Sequence, residues 1–244
     1  MSTPHVVAIA GRKGGVGKTT LTAALASVAS DHGKRVLVID VDNQANLAAF
    51  FGVDVGAKGI VDMLRGEDVE PIACPRDPNI LVLPGSTTFD DDLARSVVDD
   101  ALRKVAEAIP SDLVLIDCPP GREVVDRLAL NAADTTLIVC EPTRVAVTGA
   151  RRVLADVPAG RRSAIIIQKL DQRMGMHRQM RETASLVFDG NQVFQVVVDT
   201  QLVTAMNLAT PYAQHVKAYR KSPHRAMPEI TSIYTWLMGG VDHA

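Results

Sequence analysis

The sequence predicts an α/β fold in which a mainly parallel sheet of seven or eight strands is flanked by helices on both faces, a doubly wound arrangement. Short aliphatic runs alternate with helical stretches along most of the 244 residues. A glycine-rich turn joins the first run to the first helix, and acidic residues end two later runs. Aromatic residues make up only 4% of the chain, so aliphatic side chains and Ala must fill the core. We expect one domain over residues 1–244.

Each predicted element follows from a local pattern. Short aliphatic runs bounded by polar residues, Gly or Pro predict strands at residues 6–10, 36–39, 79–83, 113–116, 135–140, 164–167 and 193–198. Apolar residues near helical spacing predict helices that begin near Lys18 and continue at 60–65, 90–108, 145–155, 200–207, 212–219 and 228–238. Residues 52–78 are rich in Gly and Pro and are predicted to form an irregular connection at one edge of the sheet.

Residues 11–20 form a predicted phosphate-binding loop, with the sequence Gly-Arg-Lys-Gly-Gly-Val-Gly-Lys-Thr-Thr. Glycines between a strand and a helix let the backbone curl, so that successive N–H groups and the positive end of the helix dipole face one anion. Lys18 can reach the β- and γ-phosphates, and the Thr19 hydroxyl can bind Mg²⁺. The pattern therefore predicts a nucleoside triphosphate site formed by Gly11, Gly14, Gly15, Val16, Gly17, Lys18, Thr19 and Thr20.

Acidic residues follow two of the predicted strands. Asp40 and Asp42 come after the second strand, and because one residue separates them they are expected on the same side of the strand end. Asp117 ends the aliphatic run 113–116, which is the form of a Walker-B acid that holds Mg²⁺ directly or through water. Ligands of open parallel sheets bind at this carboxyl edge.

The loop and the acidic segments resemble those of the ParA/MinD family of deviant Walker-A ATPases. The family loop reads K-G-G-x-G-K-[ST], which residues 13–19 match, and the family's D-x-D-P-Q-x-N is matched at 40–46 except that Asn43 replaces proline. Residues 117–121 are similar to the family's D-x-P-P switch segment, in which we expect the two prolines to stiffen the chain and the glycine N–H to approach the γ-phosphate. The switch residues are Pro119, Pro120 and Gly121.

The resemblance implies roles for individual residues. Lys13 would be the signature lysine that reaches across an ATP-sandwich homodimer to the partner's phosphates. Asp42 would position or activate the attacking water, and Asp40 would support the loop lysine or the Mg²⁺ shell. The implied catalytic residues are thus Lys13, Lys18 and Asp42, and the implied metal-binding residues are Thr19, Asp40 and Asp117.

The resemblance is greatest to ParA-type partition ATPases without an N-terminal helix-turn-helix domain, because the first predicted strand begins near Val6. It implies an enzyme with ATP and Mg²⁺ as cofactors, slow basal turnover and stimulation by a ParB-like centromere-binding adaptor. As an ATP-bound dimer it would bind DNA nonspecifically and segregate a plasmid, phage or chromosome region. Such a protein would be cytoplasmic and associated with the nucleoid.

The charge distribution points to a polyanionic partner. Residues 1–143 hold 13 Lys/Arg against 21 Asp/Glu, whereas residues 144–244 hold 13 against 7, so the halves carry −8 and +6. A basic half of this kind is typical of phosphate contacts, and its scarcity of aromatics disfavours base stacking. The candidate DNA-binding residues are Arg151, Arg152, Arg178, Arg181, Lys217, Arg220 and Lys221.

Three other functions are open on sequence grounds. A MinD-like cell-division positioner would need a basic amphipathic membrane helix, and residues 230–244 contain no Lys or Arg, so no membrane partner is expected. A positioner of protein cargo would use the same loop with another adaptor. An iron–sulfur reductase would need paired cluster cysteines, whereas Cys74, Cys118 and Cys140 lack that context and favour a reducing cytosol.

Overall fold

The computed structural model of the chain describes residues 3–54, 58–97, 100–121, 123–171, 173–212, 214–215 and 224–239. Eight strands form one sheet in the order β3-β4-β2-β5-β1-β6-β7-β8. Their bounds are β1 (His5–Ala10), β2 (Val36–Asp40), β3 (Ile72–Cys74), β4 (Asp77–Leu83), β5 (Leu113–Asp117), β6 (Thr135–Cys140), β7 (Arg162–Leu170) and β8 (Gln192–Val197). All neighbouring strands pair in parallel except β3 and β4, which are antiparallel.

Helices cover both faces of the sheet. They are α1 (Lys18–Asp31), α2 (Leu47–Phe50), α3 (Ile60–Leu64), α4 (Asp91–Ser96), α5 (Ala101–Ala108), α6 (Glu123–Ala132), α7 (Arg144–Asp156), α8 (Gly175–Val187), α9 (Thr200–Asn207) and α10 (Met227–Gly239). One apolar core lies between the sheet and α3–α8, and the other between the sheet and α1, α2, α9 and α10. Alternate residues of β1 enter the two cores, as the period of a strand requires.

The order of the strands determines where a ligand can bind. The chain begins in the middle of the sheet, builds β2, β4 and β3 on one side of β1, and later builds β6, β7 and β8 on the other. The direction of winding changes at β1, and a crevice opens at such a point outside the carboxyl ends of the strands. The glycine-rich loop after β1 and the acids that end β2 and β5 lie at this edge.

The predicted fold class is confirmed, and all seven predicted strands are present. The eighth strand, β3, lies inside residues 52–78, which were predicted to be irregular; it has only three residues and is too short for a periodic signal. The predicted single helix 90–108 is wrong in detail. It divides into α4 and α5, and Val97 after α4 has extended dihedral angles.

Other differences concern the helices. Helices α6 and α8 lie in stretches for which the sequence predicted no element. Most of the predicted helix 212–219 lies outside the described residues. Among the helices that the structure describes, none combines the length and apolar character needed to cross a bilayer.

Candidate nucleotide-binding site

The loop between β1 and α1 has a backbone path that only glycine permits at several positions. Gly15 and Gly17 have φ angles of +71° and +99°, in the left-handed region that L side chains rarely adopt. A Cβ atom on Gly11 would lie 2.5 Å from the carbonyl oxygen of Val139 in β6. The glycines therefore allow the loop both to curl and to pack tightly against the neighbouring strand.

Lys18 fills the centre of this loop. Its side chain extends back from the first turn of α1, and the residue is only 6% exposed. Its Nζ donates to the carbonyl oxygens of Gly11 at 3.3 Å and Lys13 at 3.4 Å. A buried ammonium held only by long contacts to neutral carbonyls is well placed to bind an anion that enters the loop.

Asp117 lies beside the start of α1, at the carboxyl end of β5. It is 1% exposed, and its Oδ1 accepts a hydrogen bond from Oγ1 of Thr22 at 3.2 Å. Burial raises the pKa of Asp117 to about 7, although hydrogen bonds from Thr19 and Thr22 and the charge of Lys18 oppose the increase. The surrounding protein groups alone thus stabilise the carboxylate form of Asp117 incompletely.

Asp40 is the register partner of Asp117 across the β2–β5 pair and is fully buried. One of its oxygens accepts a hydrogen bond from the backbone N–H of Asp42 at 2.9 Å, and the other from that of Leu47 at 3.2 Å. Burial, and next the nearby Asp117 carboxyl, raise the pKa of Asp40 well above its usual range. Its two backbone contacts make Asp40 suited to shaping the 40–47 loop.

The two buried carboxyls and the Thr19 hydroxyl fit a hard divalent cation. Mg²⁺ prefers oxygen ligands, and protein sites commonly supply only one or two carboxylates while phosphates and water complete the shell. Within the described part of the chain, no group of three or more His, Cys, Asp or Glu side chains could hold a metal ion alone. The donor set therefore fits Mg²⁺ that binds together with a triphosphate.

Asp42 lies just beyond the end of β2 and is half-buried. Its Oδ1 accepts a hydrogen bond from the N–H of Gln44 at 3.0 Å, and its negative charge contributes to the raised pKa of Asp117. Gly85, which follows β4, packs against this segment: a Cβ there would lie 2.7 Å from the Asp42 carbonyl oxygen and 3.1 Å from Cγ of Asp40. The sequence analysis gave Gly85 no role, because its importance lies in a tertiary contact.

We predict that Gly85→Ala lowers ATP turnover by displacing the segment that carries Asp40 and Asp42. A 2.7 Å contact with backbone cannot be relieved by a side-chain rotation, so the loop itself must move. A misplaced catalytic group commonly costs about 100-fold in rate. Gly175→Ala is the control, because nothing lies within 4 Å of its Cβ position. Phosphate release is measured for both, and equal rates in the two variants would contradict the prediction.

The switch segment after β5 contacts the loop. A Cβ on Gly14 would lie 3.7 Å from the ring of Pro120, and a Cβ on Gly121 would lie 3.4 Å from the Arg12 carbonyl oxygen. Pro119 is buried, whereas Pro120 and Gly121 are exposed beside the loop. The phosphate loop and the switch segment therefore form two walls of one site.

Lys13 points away from the centre of the loop. Its side chain is 62% exposed, and its Nζ forms an ion pair with Oε2 of Glu141 at 2.7 Å. Oε1 of Glu141 binds Nζ of Lys169 at 3.0 Å, and Lys169 also donates to the Gly15 carbonyl oxygen. These hydrogen bonds, from Lys13 and next Lys169, lower the pKa of Glu141.

The end of β7 supports the loop from the opposite side. Nε2 of Gln168, a buried side chain, donates to the Gly17 carbonyl oxygen at 3.0 Å. Lys169 has a φ of +58°, which is uncommon for a residue with a side chain. The sequence analysis assigned no role to Glu141, Gln168 or Lys169. The available signals were that 141 and 168–169 follow predicted strands at the binding edge, and that 168–171 slightly resemble the N/T-K-x-D base-recognition motif of related GTPases.

The structure describes the side chains of two of the seven candidate DNA-binding residues. Arg151 and Arg152 are exposed on α7. Lys217, Arg220 and Lys221 lie outside the described residues, as do the side chains of Arg178 and Arg181, whose backbone belongs to α8. Elsewhere in the basic half, Arg161 pairs with Asp134, and Arg173 pairs with Asp171. Part of the positive charge in that half is thus neutralised within the molecule.

Asp126 on α6 is a further buried acid near the loop. It is 5% exposed, and within the described structure no donor reaches its Oδ1. Burial raises its pKa to about 7; the charges of Lys18 and Arg12 oppose the shift, and those of Asp156 and Glu123 add to it. Because the folded-state pKa exceeds the ordinary value of 3.8, the native state holds this proton more tightly than the unfolded chain does.

The contribution of Asp126 to the free energy of unfolding should consequently decrease as pH rises from about 4 to about 7, through the window between its two pKa values. We predict that Asp126→Asn, which removes the charge, raises the free energy of unfolding at pH 8 by at least about 1 kcal/mol, with a smaller gain at pH 5. Urea denaturation at both pH values measures this. Asp92→Asn, at a 95% exposed side chain, is the control. A loss of stability at pH 8 for Asp126→Asn would refute the prediction.

Comparison with known proteins agrees with this geometry. Residues 4–167 match a family model described as an AAA domain. The chain is 31% identical to the chromosome-partitioning ATPase Soj of Thermus thermophilus over 245 residues, which cover 92% of this chain and 96% of that protein. The chain belongs to the ParA/Soj/MinD family of P-loop ATPases. The chromosome partitioning protein ParA of Caulobacter vibrioides is 28% identical over 80% of each chain.

Solved structures of this ATPase family have the same fold. MinD of Aquifex aeolicus superposes with a TM-score of 0.77 at 25% identity, covering 96% of this chain and 97% of that one. The ATP complex of a variant of Cyanothece McdA superposes with a TM-score of 0.80 at 21% identity over 98% of each chain. The MinD of Pyrococcus horikoshii, which was solved with Mg-ADP, gives 0.77 at 23% identity over 98% of each chain.

Proposed function

We propose that this family member is a Mg²⁺-dependent ATPase that dimerises around two ATP molecules, binds DNA nonspecifically as the dimer, and releases it on hydrolysis. A ParB-like adaptor would stimulate a slow basal turnover, and the cycle would segregate a plasmid, phage or chromosome region. The relatives named for chromosome partitioning, Soj and ParA, match most of the chain and support this choice. The protein would then act in the cytoplasm, on the nucleoid.

The observation that carries the proposal is that two lysine side chains of one loop lie on opposite sides of it, one buried and one exposed. Lys18 is buried in the loop, where it would bind the phosphates of the same subunit. Lys13 is 62% exposed on the outer side, where a phosphate of a facing subunit could reach it. Within one chain Lys13 pairs with Glu141, so an ATP-bound partner would have to replace an ion pair that is exposed and therefore weak, about 0–1 kcal/mol.

The proposed chemistry is phosphoryl transfer, which asks the protein mainly for positioning and for charge stabilisation. Lys18 would neutralise charge on the β- and γ-phosphates from within the loop, and Lys13 would add a second positive charge from the partner. Asp42 would accept a hydrogen bond from the attacking water and hold it in line. Bound Mg²⁺ supplies further positive charge to the phosphate oxygens, with Thr19 and Asp117 as the residues that would hold it.

A cavity of about 620 Å³ lies at the carboxyl ends of β7 and β8 and offers space for the nucleoside. Its walls include Asp171, Val198 and Arg225. Gln168 and Lys169 bind the loop carbonyls and connect this cavity to the phosphate site. We infer that the base and ribose occupy it while the phosphates extend into the loop.

Asp42→Ala tests the assignment of the water-positioning residue. We predict that it keeps ATP-dependent dimerisation but lowers turnover at least about 100-fold, because a positioned base commonly contributes that much. Dimerisation is followed by light scattering and turnover by phosphate release. Asn43→Ala, at the exposed neighbouring position, should leave both unchanged. Normal phosphate release by Asp42→Ala would exclude the role.

The DNA-binding function is tested by retention of DNA with ATP, with ADP and without nucleotide. We predict retention only with ATP, and at least about a tenfold loss when Arg151 and Arg152 are both changed to Glu, because each lost phosphate contact removes counterion release. Dimerisation doubles the patch and therefore enlarges the loss. The slope of log affinity against log salt concentration should also become less steep.

The matched control for this charge reversal is Arg65→Glu with Lys104→Glu, two exposed residues of the acidic half of the chain. It gives the same change in net charge at a different place and should retain DNA. ATP affinity, measured on both double variants, should be unchanged. Equal retention by the two would show that the α7 arginines do not contact DNA. ATP-dependent dimers without any DNA retention would favour the protein-cargo positioner, and binding to anionic vesicles would favour the MinD-like alternative.

A further inference from the structure

Arg12 lies between Gly11 and Lys13 in the phosphate loop, and neither the sequence motifs nor the proposed chemistry assigns it a role. It contacts the switch segment, α6 and α7, which lie together on one outer side of the loop. Its carbonyl oxygen packs against Gly121 of the switch segment, and its Cβ lies 3.6 Å from the Cβ position of Gly149 in α7. Both glycines therefore lie next to Arg12.

The guanidinium of Arg12 makes the longer connections. Its Nη1 donates to Oε1 of Glu123 at 2.5 Å, and its Nη2 donates to Oδ2 of Asp156 at 3.4 Å. Glu123 is the first residue of α6, immediately beyond the switch segment, and Asp156 is the last residue of α7. The Arg12 side chain is 26% exposed, and its hydrogen bond to Glu123 lowers the pKa of that carboxyl.

These ion pairs are poorly suited to a purely stabilising role. The side chains of Glu123 and Asp156 are 66% and 55% exposed, and pairs of this kind contribute little to the free energy of unfolding. They nevertheless join three separate segments through one residue that is covalently attached to Lys13. A weak contact in this position can break and re-form as the switch segment moves, without unfolding the site.

We propose that Arg12 is a positioning residue that couples the switch segment to the phosphate loop and so sets the preference of the site for ATP over ADP. This coupling by Arg12 rests on the nucleotide-binding part of the proposed function, and it requires neither DNA nor an adaptor. The γ-phosphate would contact the switch segment near Gly121 on one side of Arg12 and the loop on the other. The Arg12–Glu123 pair favours the arrangement of these two surfaces that fits the γ-phosphate, and ADP, which ends at the β-phosphate, does not use that arrangement.

The experiment measures dissociation constants for ADP and for a nonhydrolysable ATP analogue, with Mg²⁺, by calorimetry at protein concentrations below those of dimerisation. Arg12→Gln and Glu123→Gln should each reduce the preference for the ATP analogue about fivefold to tenfold. The affinity for ADP should stay within about twofold. The double variant should be no worse than either single variant, because all three lose the same interaction. Arg12→Lys, which keeps a charge, should recover part of the preference.

Arg127→Gln is the matched control, because Arg127 is exposed on the same cavity wall as Glu123 and Asp126 but lies outside the loop. It should leave the preference unchanged. Thermal unfolding of each variant shows whether the fold is intact, and Glu123→Gln, which removes the same ion pair from its exposed end, provides the test if Arg12→Gln does not fold.

An unchanged preference in Arg12→Gln would overturn the inference, and so would an equal loss of ATP-analogue and ADP affinity, which marks a merely structural role. Additive losses in the double variant would also contradict the coupling through Glu123. Failure of the proposed function gives a different result: the wild-type protein would then neither dimerise nor retain DNA with ATP, whatever its preference between the two nucleotides.

Discussion

The whole site depends on the burial of one ammonium group beside two carboxyl groups where β1, β2 and β5 end. Lys18, Asp40 and Asp117 are each at most 6% exposed, and taking such charges out of water is costly unless they are paired or hydrogen-bonded. The raised pKa values of both acids show that the protein's own groups compensate this cost incompletely. A triphosphate with Mg²⁺ would supply further opposite charges, so ligand binding relieves an electrostatic imbalance that the fold maintains.

The surroundings of the loop follow from the same arrangement. The loop curls around Lys18, and the side chains of Arg12 and Lys13 lie on its outer side, where they contact groups of neighbouring elements. Glu141 and Lys169, after β6 and β7, hold one side, while Glu123 and Asp156 hold the other. The outer surface of the loop is consequently built from exposed ion pairs, which are weak and easily exchanged.

Much of the fold could be predicted from sequence, because aliphatic strand runs and the strand–glycine loop–helix pattern are local signals. The positions of Lys18 at the start of α1 and of Asp117 at the end of β5 were predictable for the same reason. Gly85, Gln168 and Asp126 were not, since a close packing contact or a buried charge is produced by chain segments that are distant in sequence. Strand β3 was missed because three residues are too few to show an alternating pattern, and the break between α4 and α5 was missed because the apolar residues on both sides of it keep nearly helical spacing.

In the basic half of the chain, the number of Lys and Arg residues does not show which of them are paired within the molecule and which are exposed. Arg161 and Arg173 are paired within the molecule, and Arg162 stacks on the ring of Trp236 with its guanidinium carbon 4.2 Å from the ring centre. Arg151 and Arg152, by contrast, are exposed on α7, the helix whose Gly149 packs against the loop. A surface for a polyanion on α7 would therefore be adjacent to Arg12 of the loop. If α7 binds DNA as proposed, a change at the loop would reach that surface through the contact between Arg12 and Gly149.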